Sequence, residues 1–338
     1  MTIPSLKNLV RGRLTVAVGF DEQTSSLVDT AVSFARKFDY QLRFVNVIEG
    51  AEFDPMSIDM PGFYSVPPIV RFSDERLQAE RQNQMRLLLE GLDPEVRAAG
   101  HILHGDGPRV LIADAVSSNS SAIMTACNVD SYHLMPSGFS MALTLMHEAP
   151  MPVFVVSRDA KLDFASDDFR ILVADDLLDS NRETIRKAYE LACAVKNAHL
   201  RHVHVHGDFR EVMRDTWMDI TEKNSFLKTN GETPDSLWAK EYNLRLEKMK
   251  KQGQPFSGAA EENGVDINYD VRTGNVAEEV HSVVEEFKPN LIFYGRHKFW
   301  RARPFLIGRM PFRSMLQEKK PIVMVPARDD MYAVIALP

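Results

Sequence analysis

The sequence predicts a tandem α/β protein: two doubly wound units in series, each a parallel five-stranded sheet with helices on both faces. Three observations predict it. Apolar runs such as Leu14-Thr15-Val16-Ala17-Val18, Ile171-Leu172-Val173-Ala174 and Leu291-Ile292-Phe293-Tyr294 are too short for helices. They suit strands buried on both faces. Amphipathic helical stripes alternate with these runs, which is the grammar of a parallel sheet. Finally, the halves repeat by simple offsets. Adding 157 takes Val16-Ala17 to Val173-Ala174, adding 158 takes Asn46-Val47 to His204-Val205, and adding 169 takes Gly105 to Gly274, Ile123 to Ile292 and Pro152 to Pro321.

In the first half, the opening strand leads to a helix whose apolar positions are Leu27, Ala31, Phe34, Ala35 and Phe38. A strand at 42–48 follows. Residues 50–72, rich in Pro, Met, Phe and Tyr without a clean period, read as a long loop. A polar helix at 73–92 and a short strand at 101–104 come next. Gly105-Asp106-Gly107-Pro108 then turns into a helix through Val110, Ile112, Ala113 and Val116. Strands at 122–125 and 151–156 complete this half.

The second half begins again at 171–175. Ser180 and Glu183 have the spacing of a capping box, and Ile185, Ala188, Tyr189, Ala192 and Val195 give the helix after it a buried stripe. A strand at 200–205, an insertion at 207–234 and a helix at 236–251 follow. Arg272-Thr273-Gly274-Asn275 ends a strand and opens a helix with Val276, Val280, Val283, Val284 and Phe287 on one face. The domains expected are 1–157, a linker at 158–168, 169–328, and a tail at 329–338. The final strands of each half are the natural edge-pairing elements of an intramolecular pseudo-dimer, with a homodimer also open.

Composition narrows the function. A net charge of −7, with 44% hydrophobic and 26% charged residues, describes a globular protein without the basic footprint that nucleic-acid binding needs. Cys127 and Cys193 are the two cysteines, too few for a disulfide framework or a cysteine-rich zinc site. No apolar run has the length of a membrane span, and Met1-Thr2-Ile3-Pro4 opens no signal-peptide pattern. A cytoplasmic protein without membrane partners is expected.

Candidate chemistry gathers where strands end. Gly295 lies just past a strand and Gly308 opens a helix, the place where such sheets bind anions and nucleotides. Both glycines equally suit ordinary turns. Asp176 is a candidate ribose ligand or a loop residue. Lys298, Arg301, Arg303 and Arg309 surround the glycine pair and either attract phosphate or form a solvated basic loop. The alternating His202, His204 and His206 share one strand face, but their spread along a strand suits a single metal ion poorly, so no metal is expected. Met56, Met60, Phe63, Tyr64 and Val66 either cover a ligand or partner site or pack on their own domain. Cys127 reads as a small core residue. At corresponding positions the first half has Gly19, Ala126 and Phe139 in place of Asp176, Gly295 and Gly308, so its site is degenerate.

These residues give the chain a resemblance to the universal stress protein family in its tandem two-domain form. The resemblance rests on Val173-Ala174-Asp175-Asp176, His204-Val205, Gly274-Asn275-Val276-Ala277-Glu278-Glu279, the pair Gly295 and Gly308, and the closing Pro321-Ile322-Val323-Met324-Val325. It implies strand order 3-2-1-4-5 and an adenine nucleotide, ATP or AMP, in the second domain. Asp176 would meet the ribose or base, the backbone at Val205 the adenine edge, and Gly295, Gly308 and Arg309 the phosphates. Two departures stand out. Lys298 replaces the family's middle glycine, where a side chain can block the approach of backbone N–H groups to phosphate. Arg309 replaces its hydroxyl residue and either binds phosphate as a charged fork or fills the pocket. The expected function is stress-response regulation through nucleotide binding without fast catalysis. The alternatives are a scaffold acting through protein partners, and a slow ATPase, for which no general base or metal carboxylate pair is evident.

Overall fold

The computed structural model describes residues 12–22, 24–48, 69–127, 141–157, 162, 164, 168–207, 233–296 and 320–327. They form two compact units, Met1–Ala149 and Pro150–Pro338.

The first unit runs β1 (Arg13–Ala17), α1 (Thr24–Phe38), β2 (Gln41–Ile48), α2 (Ile69–Glu90), β3 (Ala98–His104), α3 (Gly107–Ser117), β4 (Ala122–Cys127) and α4 (Met141–Glu148). Its strands are parallel and ordered β3-β2-β1-β4. The stripe read for α1 is the buried one, with Thr30 added. The expected helix is α3, in which Gly107, Leu111 and Ala115 are buried and Val116 is exposed. Arg43 of β2 donates two hydrogen bonds to Asp114 of α3, each 2.7 Å, and ties sheet to helix in a half-buried pair. Arg43→Met should lower stability by about 2 kcal/mol, the scale of a charge-assisted hydrogen bond, read from urea unfolding curves.

The second unit runs β5 (Val153–Ser157), β6 (Phe169–Ala174), a 3₁₀ turn (Asp179–Asn181), α5 (Arg182–Ala194), β7 (Ala198–His206), α6 (Pro234–Glu262), β8 (Asp266–Thr273), α7 (Val276–Phe287), β9 (Leu291–Arg296) and β10 (Ile322–Pro326). Five strands are parallel in the order β8-β7-β6-β9-β10, the 3-2-1-4-5 arrangement. β5 then pairs antiparallel with β10, Phe154 opposite Val323. The core lies where the apolar runs put it: Ile171, Leu172, Val173, Leu291, Ile292, Ile322 and Val323 are completely buried.

Two helix boundaries differ from expectation. α5 starts from Asn181 after the 3₁₀ turn, with no side-chain cap, and Glu183 pairs with Arg186 instead of closing a capping box. The capping box sits instead on α6, between Thr233 and Ser236. α6 also continues eleven residues beyond Lys251 to Glu262, through Gly253 and Pro255. A Cβ on Gly253 would stand 2.6 Å from the Tyr269 hydroxyl and 2.7 Å from that of Tyr189. Close packing on this tyrosine pair is what keeps a glycine inside the helix.

Candidate functional site

Strand order decides where a crevice opens. β6 lies between β7 and β9, so the chain leaves β6 on one side for β7 and returns on the other for β9. The carboxyl ends of β6 and β9 form a topological switch point, where open α/β sheets bind ligands. Ala174 pairs with Tyr294, which puts Gly295 level with the turn after β6. Asp176 is exposed in that turn, and its Oδ1 accepts the N–H of Leu178 at 3.0 Å. Val205 lies near the end of β7, in register with Arg272 of β8. Asp176, Val205 and Gly295 therefore share one edge of the sheet. Gly308 and Arg309, with Lys298, Arg301 and Arg303, lie outside the described residues, as do 50–68 and 208–232.

Beneath this edge is a polar network that the sequence reading passed over. Asp175, with a fully buried side chain, has every acceptor in use. Oδ2 accepts from His202 Nε2 at 2.8 Å. Oδ1 accepts from Asn181 Nδ2 at 2.7 Å and from the Leu177 N–H at 2.8 Å. The Asp175 carbonyl accepts from His204 Nδ1 at 2.8 Å. Burial pushes the carboxyl's pKa up, but His202, Asn181 and the Leu177 amide outweigh it and hold the group below the usual carboxylate range. Because the carboxylate only accepts, His202 Nε2 carries the hydrogen of this bond. Nδ1 of His202, also buried, has no partner among the described residues.

Asn181 passes this order on to Gly295. Its Nδ2 is committed to Asp175, so its Oδ1 is turned the other way, to where a Cβ on Gly295 would stand. Thr184 Oγ1 lies 3.0 Å from that same point. Gly295 is thus a glycine because two side chains occupy the space of its missing Cβ. Asn181 Oδ1 and Thr184 Oγ1, in residues 2% and 1% exposed, have no hydrogen-bond partner among the described residues. The signal for this network was available in the sequence. A carboxylate ends the buried run at Asp175, and a histidine, His202, stands on the neighbouring strand.

The alternating histidines do not converge on one point. His202 turns to Asp175, while His204 and His206 both face Arg245 of α6, at 3.2 and 3.3 Å. Among the described residues no group of three or more His, Cys, Asp or Glu is arranged to hold a metal ion. Cys127 is buried, as a core residue should be. The Cys193 thiol is pushed up to about 11 by burial and by Glu190, which leaves it protonated and inert near neutrality. No described helix is long and apolar enough to cross a membrane.

Comparison with known proteins agrees with this architecture. Residues 169–326 match the model of the universal stress protein family. No curated protein matches the chain. Among solved structures, a universal stress protein from Archaeoglobus fulgidus DSM 4304 is similar over 94% of this chain and 97% of its own, with 14% identity and a TM-score of 0.60. A functionally unknown protein from Pseudomonas aeruginosa PAO1 is similar over 97% of this chain and 96% of its own, with 12% identity and a TM-score of 0.52. At such identities the likeness speaks for the fold, and it extends over both halves. Residues 169–326 are thus a domain of the universal stress protein family, and the likeness of fold over the full length fits a tandem two-domain form.

Proposed function

We propose that the protein is a stress-response regulator that binds an adenine nucleotide, ATP or AMP, at the carboxyl edge of β6, β7 and β9. The observation that supports this reading is the pairing of Ala174 with Tyr294, which sets Gly295 level with the turn that holds Asp176, at the topological switch point of the second sheet. Asp176 would accept from a ribose hydroxyl or the base, and the Val205 backbone would face the adenine edge. Gly308 and Arg309 would take the phosphates.

Acid extraction of the purified protein followed by chromatography should release ATP, ADP or AMP, and calorimetry should detect binding of added ATP. Asp176→Ala should weaken that binding about tenfold, the loss of one hydrogen bond to a charged group. Absence of both released nucleotide and a calorimetric response would overturn the proposal. A protein-partner reading would then take its place.

A further inference from the structure

Helix α6 meets the end of β7 through one guanidinium. Arg245 donates from one terminal nitrogen to His204 Nε2 at 3.2 Å and from the other to His206 Nε2 at 3.3 Å. The second nitrogen also contacts Glu241, one turn earlier on the same helix, at 2.6 Å. A guanidinium can only donate, so both imidazole nitrogens must be bare acceptors. His204 already spends its other nitrogen's proton on the Asp175 carbonyl, which fixes its tautomer. The rings of His204, His206 and Trp238 then follow one another nearly parallel, with centroids 6.5 Å apart at each step. Both contacts therefore exist in one protonation state alone.

The geometry points to a proton-operated latch: Arg245 fastens helix α6 to the carboxyl end of β7 while His204 and His206 are neutral, and protonation of either releases it. A proton on Nε2 would remove the acceptor and set an imidazolium against the guanidinium. The displaced Arg245 keeps Glu241 on its own helix, so release leaves neither cation stranded. The charges around the rings are known from each side. Arg245 opposes protonation of both histidines. Asp175 and Asp176 favour it at His204, Glu241 favours it at His206, and a charge on His204 disfavours it at His206. Tyr242 and Tyr269 pack on the same apolar cluster, with Leu177, Met249 and Val271. Burial, the largest influence, lowers the pKa of both imidazoles, and Arg245 lowers them further.

The sign follows. A histidine whose folded pKa lies below its unfolded value binds more protons when unfolded, so the latch is complete above the ordinary imidazole pKa of about 6.5 and is lost as pH falls through the lower folded value. What loosens is the first four turns of α6. The apolar cluster still holds Met249.

The test is amide hydrogen exchange of the full-length protein, expressed as protection factors so that intrinsic rates drop out. Between pH 7.5 and 5, opening of residues 236–248 should rise about tenfold, the scale of one lost charge-assisted hydrogen bond. α7 should not change. Arg245→Met should show the opened level at both pH values, and the His204 and His206 carbon resonances should titrate at higher pH than in the parent. Should Arg245→Met fold poorly, His204→Gln/His206→Gln decides the matter, because glutamine offers an acceptor oxygen that cannot be protonated at these pH values. That variant should stay closed at pH 5. Protection of 236–248 that is independent of pH in the parent, or a pH response that persists in the double glutamine variant, would overturn the latch.

Discussion

Asp175→Ala is expected to lower the stability of the second unit by about 3–5 kcal/mol, the scale of leaving several buried donors to a carboxylate unmet. Its carboxylate accepts from His202, Asn181 and the Leu177 amide in a site without solvent. Alanine would leave all three donors buried and unmet. The informative companion is Asp175→Val/His202→Leu. Both side chains point into the same interior, and replacing such a pair with apolar groups of similar volume is often neutral or stabilising. The double variant should recover most of the loss in thermal or urea unfolding. Should it unfold as readily as the single variant, Asp175 is needed for the turn after β6 itself. Acidity adds a second signature. The folded pKa of Asp175 is depressed, so its contribution is present above the unfolded carboxylate value of about 3.9 and is lost as pH falls through the lower folded value. The parent's acid unfolding should be steeper below about pH 4 than that of the double variant.

Gly295→Val is the second large effect, with an expected loss of about 3 kcal/mol or more. Valine suits a strand backbone, so the damage comes from contact alone. Its Cβ would take the place of Asn181 Oδ1 and press on Thr184 Oγ1. Asn181 cannot swing away freely because its Nδ2 is bound to Asp175. Overpacking of about 1–3 kcal/mol therefore adds to the loss of a hydrogen bond to a carboxylate. Calorimetric unfolding measures the cost. Gly295→Val/Asn181→Ala, which clears the obstructing amide, should regain part of it. If Gly295→Val melts like the parent, Asn181 is not held as described.

The parts legible in the sequence were those that one kind of physics dictates. Leu291–Tyr294 and Ile171–Ala174 had to be buried on both faces, and the repeat at fixed offsets made the second copy predict the first. The stripes of α1 and α5 needed only helical periodicity. What escaped depends on a partner far along the chain. Asp175 looked like one of two aspartates in a turn until His202, on the next strand, was seen to bind it. The length of α6 was hidden by Gly253 and Pro255, which interrupt helices unless tertiary packing favours them, as Tyr189 and Tyr269 do here. Asn181 followed a serine with better capping chemistry, and its task became visible once Gly295 stood beside it. Of the proposed nucleotide ligands, Asp176, Val205 and Gly295 lie along one edge of the second sheet, while Gly308 and Arg309 fall outside the described residues.

The antiparallel seam between β5 and β10 has a practical corollary for anyone cutting the gene. A fragment trimmed to the family's own limits, residues 169–326, would shed Val153–Ser157 and leave Ile322 to Met324 with a bare row of amides and carbonyls along one flank. Such a flank recruits strands from other molecules. A truncated version that begins near residue 150 carries its own cover; one that begins at 169 invites clumping.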